Sequence, residues 1–335
     1  MQGIQRGVSL YSFQEEFFLG TMNLDAQIAA AASFGALGIE VIPHQTFASY
    51  PDLSDREVEH WHELHALHGT TPVAYDSFAD SRRITGRMLS SDELLDDLVR
   101  DMGLARRLGC EIVRVQMNTP LDVFEEAARH AEEFDQRLAI EVHAPMTYES
   151  RWIKRFIDVI DRVDNGRLGL MGDMSTFSPT FSPVIYDWAR SIGASRRLLD
   201  YVKSAYEGPE PKSFHTLGAE LGYLGATGVE ASLGGLTGYM TSVDPETLVP
   251  HLPYLFHIQA KFWDMVGDDH EGSIDYSGVI EVLARHGWSG YLSSEYEGNR
   301  FIQDRMPVDS VDQLRRQHSM LKRLIEQHSK LASHV

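Results

Sequence analysis

Leu138-Ala139-Ile140-Glu141-Val142-His143 is a short apolar run that delivers a carboxylate near its end. Two later runs finish the same way, Leu168-Gly169-Leu170-Met171-Gly172-Asp173 and Tyr291-Leu292-Ser293-Ser294-Glu295. A fourth, Leu255-Phe256-His257-Ile258-Gln259-Ala260-Lys261, delivers a histidine and a glutamine instead. An acid at the end of a buried strand is costly unless something pairs with it. Several acids converging from different strands point to a bound cation. Working outward from these runs, strand candidates fall at residues 7–13, 38–42, 71–75, 111–117, 137–143, 168–173, 255–261 and 290–296. Helix-length segments separate most of them, which is the βαβ signature of a parallel sheet. Eight such units close an α/β barrel, so the expected fold is a (β/α)8 TIM barrel, a single domain over residues 1–335.

The intervening segments carry helix start signals. Ser54-Asp55-Arg56-Glu57 and Ser90-Ser91-Asp92-Glu93 both fit the capping-box spacing, and residues 93–108 and 122–134 then show apolar side chains at helical intervals. One interval breaks the rhythm: from Asp173 to Leu255 the chain runs far beyond the roughly 30 residues of a typical unit. Residues 178–254 are therefore expected to form a long helical insertion between strands six and seven, with one helix over 184–206. It serves either as packing on the barrel or as a lid or partner-binding face over the mouth. Gly234-Gly235-Leu236-Thr237-Gly238 lacks the Lys that a phosphate-binding loop requires.

Composition narrows the function classes. The 335 residues carry a formal charge of −19, which disfavours a nucleic-acid or anionic-membrane surface. The single cysteine, Cys110, sits among apolar neighbours and reads as packing rather than a nucleophile. With no secretory pattern at the first residues and no apolar run near the roughly 18 residues of a membrane span, the expectation is a cytoplasmic enzyme.

In an α/β barrel the carboxyl ends of the strands converge on one mouth, where chemistry is done. Glu141, Asp173 and Glu295 occupy that position on the fifth, sixth and eighth strands, and Gln259 and His257 do so on the seventh. Such an oxygen-rich set suits a hard or borderline divalent ion, Mn2+ or Mg2+ ahead of Zn2+. Side chains two apart on a strand share a face, so His143 stands beside Glu141, and Lys261 beside Gln259 and His257. Imidazole titrates near neutral pH, which makes His143 a candidate general base; its alternative role is to orient Glu141. Lys261 either meets a substrate oxyanion or neutralises Glu295 or Glu297. Tyr11, His44, Trp263 and Glu297 complete the expected substrate-binding set, with His257.

These motifs resemble the xylose isomerase-like family of sugar isomerases and epimerases over essentially the whole chain. The matching pieces are Glu141-Val142-His143, Gly172-Asp173, His257–Lys261, Ser273-Ile274-Asp275-Tyr276 and Trp288–Glu295. The resemblance implies a metal held by Glu, Asp, His and Glu from successive strands. The seventh-strand motif of that family usually reads His-x-His, and here Gln259 takes the second place; the ligand is then the amide oxygen, or ligation shifts to His257. Thr176 stands where the family often has a histidine. Within the family, Ser9-Leu10-Tyr11-Ser12-Phe13, residues 172–177 and 257–263, and the insertion look most like the large subunit of bacterial C-glycoside deglycosidases. That resemblance implies a divalent metal, typically manganese, a small β-sandwich partner subunit, an oligomeric assembly, and cleavage of the carbon–carbon bond between a 3-oxo-glucosyl unit and a flavonoid-type aglycone. The alternatives are a ketose 3-epimerase or sugar isomerase on the same metal, and a barrel whose metal is only structural.

Overall fold

The computed structural model describes residues 3–210, 212, 214–267, 270–305 and 307–332. Eight strands, β1 (Ile4–Ser9), β2 (Gly38–Val41), β3 (Thr71–Asp76), β4 (Ile112–Val115), β5 (Arg137–Val142), β6 (Leu168–Asp173), β7 (Leu255–Phe262) and β8 (Gly290–Tyr296), close into a barrel. Every neighbouring pair is parallel. The ring is sealed by β1 against β8, with Ile4 beside Gly290 and Val8 beside Ser294. The expected TIM barrel is therefore the fold of this chain.

The strand period sorts side chains into tiers along the barrel axis. At the amino-terminal end the interior is apolar: Val73, Ala74, Ile112, Ala139 and Met171 pack together, with Phe256 and Tyr291 against them. Gly38 makes room for this plug, because a Cβ at that position would overlap the Tyr291 ring. A cleft of about 420 Å³ opens outside this end, lined in part by Gln5, Glu111, Arg137 and Phe256. It lies away from the face on which TIM barrels carry chemistry.

Helices wrap the outside. Asp55–His68 and Ser91–Leu108 both begin with the anticipated capping boxes, in which Ser54 and Ser90 exchange hydrogen bonds with Glu57 and Glu93. Trp61 is fully buried and donates its indole N–H to the Leu108 carbonyl at 2.9 Å. His65 lies edge-on to Trp61, with Nδ1 2.7 Å from Thr70 Oγ1. Burial first, and the neighbouring His62 second, draw its pKa down to about 4. A histidine held neutral in the fold charges on unfolding, so its stabilisation is complete above pH 6.5 and is lost as the pH falls towards 4. Over that window His65 is expected to account for about 2–3 kcal/mol of acid destabilisation. Urea midpoints at pH 7, 5.5 and 4 check this: His65→Gln must lose less stability on acidification than the native chain, and an equal loss would rule His65 out.

Two expectations shift. The first strand lies at Ile4–Ser9 rather than 7–13, and Leu10–Phe13 is a 3-10 turn. The turn is fixed by Ser12, whose Oγ donates to the Ser294 carbonyl and accepts from the Tyr296 amide. The helix expected over 184–206 is split into Pro183–Ser191 and Arg196–Glu207. Gly193 lies between them at φ +107°, a conformation that ends the first helix. The insertion continues through a helix at Phe214–Tyr223 and 3-10 segments at Gly228–Tyr239 and Pro245–Tyr254. Its buried side chains, among them Ile185, Leu199 and Leu221, are continuous with the main core. Cys110 is buried, as expected. Among the described residues no helix is long and apolar enough to cross a membrane.

Candidate active site

Above the apolar plug the barrel interior turns polar, tier by tier. The lowest polar tier is carried by β2, β7 and β8. Glu40, fully buried, takes a hydrogen bond from His257 Nε2 at 2.7 Å and one from Gln259 Nε2 at 2.9 Å. Ser293 Oγ lies 2.9 Å from the same His257 nitrogen. His257 is thus committed to a carboxylate inside the barrel rather than facing the mouth.

The next tier is built on Arg114 of β4. Its Nη1 donates to Glu141 Oε2 at 2.8 Å, and its Nε lies 3.3 Å from Asp76 Oδ1. Burial is the largest single influence and penalises the Glu141 charge, but Arg114, His143 and Lys261 together outweigh it and hold the carboxyl below its usual range. Asp76 goes the other way: burial pushes it up, and the nearby Glu40 carboxylate adds to the effect.

At the mouth Lys261 stands among carboxylates. Its Nζ is 2.8 Å from Asp173 Oδ2, 3.5 Å from Glu295 Oε2 and 3.6 Å from Glu297 Oε2. Burial raises the Asp173 and Glu295 carboxyls against the pull of that ammonium. Glu297 also accepts from Tyr11 Oη at 3.1 Å and Arg300 Nη1 at 3.1 Å. The turn carrying Glu297 and Arg300 passes so close to the Trp263 carbonyl that only Gly298 fits there; a Cβ would overlap the oxygen.

His143 lies just past the end of β5, half-buried, with Nδ1 2.6 Å from the Ala144 carbonyl. A carbonyl only accepts, so Nδ1 carries the hydrogen and the Nε2 lone pair of the neutral ring is left for chemistry. His44 is also half-buried, its ring 5.1 Å from that of Phe78, and burial with the charge of Arg114 lowers its pKa. Trp263 is buried against Phe301 and against Tyr239 from the insertion, with ring centroids 5.8 and 6.1 Å away.

Among the described residues no three His, Cys, Asp or Glu side chains converge closely enough to hold a metal ion between them as they stand, and Lys261 lies amid the acids. The donor chemistry nevertheless fits a hard divalent cation. Gln259 Oε1 is a buried oxygen with no hydrogen-bond donor, Asp173 Oδ2 and Glu295 Oε2 already gather round a cation in the Lys261 ammonium, and Asp173 and Gln259 are direct neighbours across β6 and β7.

The structure therefore brings Glu141, Asp173, Gln259, Glu295, Lys261, Glu297 and Tyr11 into one connected interior, while His257 is held on Glu40 in the lowest polar tier. Glu40, Asp76 and Arg114, on the first-half strands, and Arg300 and Tyr239 at the rim were not anticipated. The period of two was the available signal: Glu40 is two residues past the inward Gly38, and Asp76 ends an apolar run as Asp173 does.

A closed ring of eight parallel strands with acids at its mouth defines an α/β barrel whose carboxyl-end face carries the candidate site. The chain belongs to the xylose isomerase-like TIM barrel family, whose model matches residues 28–324. It is 29% identical over 331 residues to a C-glycoside deglycosidase alpha subunit from Arthrobacter globiformis, covering 97% of this chain and 93% of that one. A 3'-dehydrocarminate deglycosidase alpha subunit from Microbacterium is 24% identical, with 95% and 94% covered. Among solved structures, the IOLI protein with a binding zinc atom matches at a TM-score of 0.56 and 13% identity, covering 98% of this chain and 99% of that one. An L-ribulose 3-epimerase matches at 0.56 and 12%, with 98% and 97% covered.

Proposed function

We propose that this chain is the catalytic subunit of a divalent-metal-dependent C-glycoside deglycosidase. It cleaves the carbon–carbon bond of 3-oxo-C-glycosides bearing an aromatic aglycone, by β-elimination. The observation that carries the reading is the juxtaposition of a mouth full of cation-seeking oxygens with His143, whose Nε2 is left free by the Ala144 hydrogen bond. Relatives named as C-glycoside deglycosidase alpha subunits, aligned over 91–97% of this chain, support the same choice.

A C-glycosidic bond has no leaving oxygen to protonate, so hydrolysis by two carboxylates has nothing to act on. Oxidation at C3 makes the C2 proton acidic and places the aglycone carbon on C1, β to the ketone. A Mn2+ ion held by Glu141, Asp173, Gln259 and Glu295 would supply Lewis acidity toward the 3-oxo and 2-hydroxyl oxygens. His143 Nε2 removes the C2 proton; the electron pair becomes the C1–C2 double bond and the C1–aglycone bond breaks. The aglycone carbon takes up a proton, returned by His143 directly or through a phenol of the aglycone. Atoms balance as one 2-hydroxy enone and one free aglycone. Lys261, Glu297 and Tyr11 position the sugar and His44 borders it; the contact of Tyr239 with Trp263 supports reading the insertion, residues 178–254, as one wall of the mouth. The alpha-subunit naming of the relatives supports a partner subunit in a larger assembly, for which the family resemblance suggests a small β-sandwich.

The test is direct. The Mn2+-loaded chain, with and without a candidate partner subunit, is incubated with several 3-oxo-C-glucosides of flavones, and released aglycone is followed by chromatography. Aglycone release is expected; none from any substrate, with partner present, would overturn the assignment.

A further inference from the structure

We infer that Glu40 is a positioning residue that decides which end of the Gln259 amide faces the mouth. The inference rests on the reading of Gln259 as a metal ligand and extends it to the residue behind. The two ends of a carboxamide are not equivalent toward a cation: the oxygen has lone pairs to offer, while the NH2 group presents two hydrogens. At a position where a histidine would need no such choice, a glutamine has to be told which way to point.

The structure supplies the instruction. Glu40 Oε1 lies 2.9 Å from Gln259 Nε2. An ionised carboxylate has no hydrogen to give, so the group facing it must be the NH2 end. The orientation follows from this chemistry rather than from telling nitrogen from oxygen by position. Glu40 is itself pinned: its other oxygen receives His257 Nε2 at 2.7 Å, and Ser293 Oγ lies 2.9 Å from that nitrogen. Glu40, His257 and Ser293 are each 0% exposed and Gln259 is 1% exposed, so water does not compete for these bonds. What remains is Gln259 Oε1, buried, without a donor, on a residue paired in register with Asp173. A donor chain that begins at His257 on β7 and turns round at Glu40 on β2 thus ends by exposing an oxygen to the acids of the mouth.

Reversing the chain reverses the amide. In Glu40→Gln, His257 still donates to the new side-chain oxygen, and the new NH2 then faces Gln259. Gln259 accepts with its oxygen and turns its NH2 to the mouth. The swap Glu40→Gln/Gln259→Glu removes the difficulty: a carboxylate at 259 accepts from the amide at 40 with one oxygen and offers the other.

The probe is Mn2+ alone, titrated calorimetrically into the full-length metal-free chain, with melting temperatures recorded for each variant. Gln259→Leu is expected to bind at least tenfold more weakly. Glu40→Gln is expected to bind about tenfold more weakly, as loss of a group behind a ligand generally does, and the swap should return affinity to the native level or better. Native affinity in Glu40→Gln, alongside weakened Gln259→Leu, would overturn the positioning role and leave the ligand role standing. Native affinity in Gln259→Leu would overturn both. If Glu40→Gln does not fold, the swap decides: tenfold weakening in the folded swap overturns the inference. A purely structural Glu40 lowers the melting temperature of Glu40→Gln without moving its Mn2+ affinity.

Discussion

Replacing His143 by alanine should slow aglycone release from a 3-oxo-C-glucoside by about 100- to 10,000-fold, the range that a positioned proton-transfer group contributes. Mn2+ affinity should not change. The expectation follows from where the ring is and how it is held. The strand period puts His143 on the same side as Glu141, and donation from Nδ1 to Ala144 at 2.6 Å fixes both the ring plane and the tautomer. The base lone pair is then on Nε2 by construction. Single-turnover rates and a Mn2+ titration on the same preparation separate the two roles considered for this residue. If the variant kept its rate with metal bound, His143 would not be the base. A parallel loss of metal affinity and rate would instead make it the residue that orients Glu141. Exchange of the C2 hydrogen with deuterated solvent, followed by NMR, gives a readout independent of bond cleavage and should fall with the rate.

The second large effect is expected at Lys261. Its ammonium reaches Asp173, Glu295 and Glu297 within 2.8–3.6 Å, and all four side chains are at most 10% exposed. Removing one partner from a buried ionic cluster leaves charges that neither water nor protein compensates, which costs about 3–5 kcal/mol. Lys261→Met should therefore destabilise the metal-free chain by that amount in urea unfolding. Added Mn2+ should recover more stability in the variant than in the native chain, because a divalent ion returns positive charge to the same oxygens. Equal stability of variant and native chain without metal would show that Lys261 is not the counter-charge of this cluster.

The barrel was largely legible because burial on both faces forces parallel strands into short apolar runs, and those runs stand out between amphipathic helices. Its carboxyl ends were legible for the same reason: Glu141, Asp173 and Glu295 are charges in an apolar context. What was not legible depends on partners remote in the chain. Glu40 and His257 are 217 residues apart, and Arg114 and Glu141 are 27 apart on adjacent strands. A single charged residue inside a strand carries no mark saying which distant group compensates it. The misplaced first strand has a local cause, since the alternation of Val8, Leu10 and Ser12 runs on into the turn that Ser12 fastens to β8. The broken insertion helix turns on Gly193, whose left-handed backbone is compatible with a helix end but not dictated by the residue type.

Sealing the barrel through residues 4–8 against 290–294 has a consequence for how the protein is made. β1 finds its second neighbour only after every other strand of the ring has been synthesised. Until then β1 and β7 each carry a row of unpaired backbone amides and carbonyls, the kind of edge that invites pairing between nascent chains. A chain halted before residue 290 would keep both edges open permanently. Yield in the cell is therefore expected to respond to chaperone capacity and translation speed as well as to the stability of the finished ring.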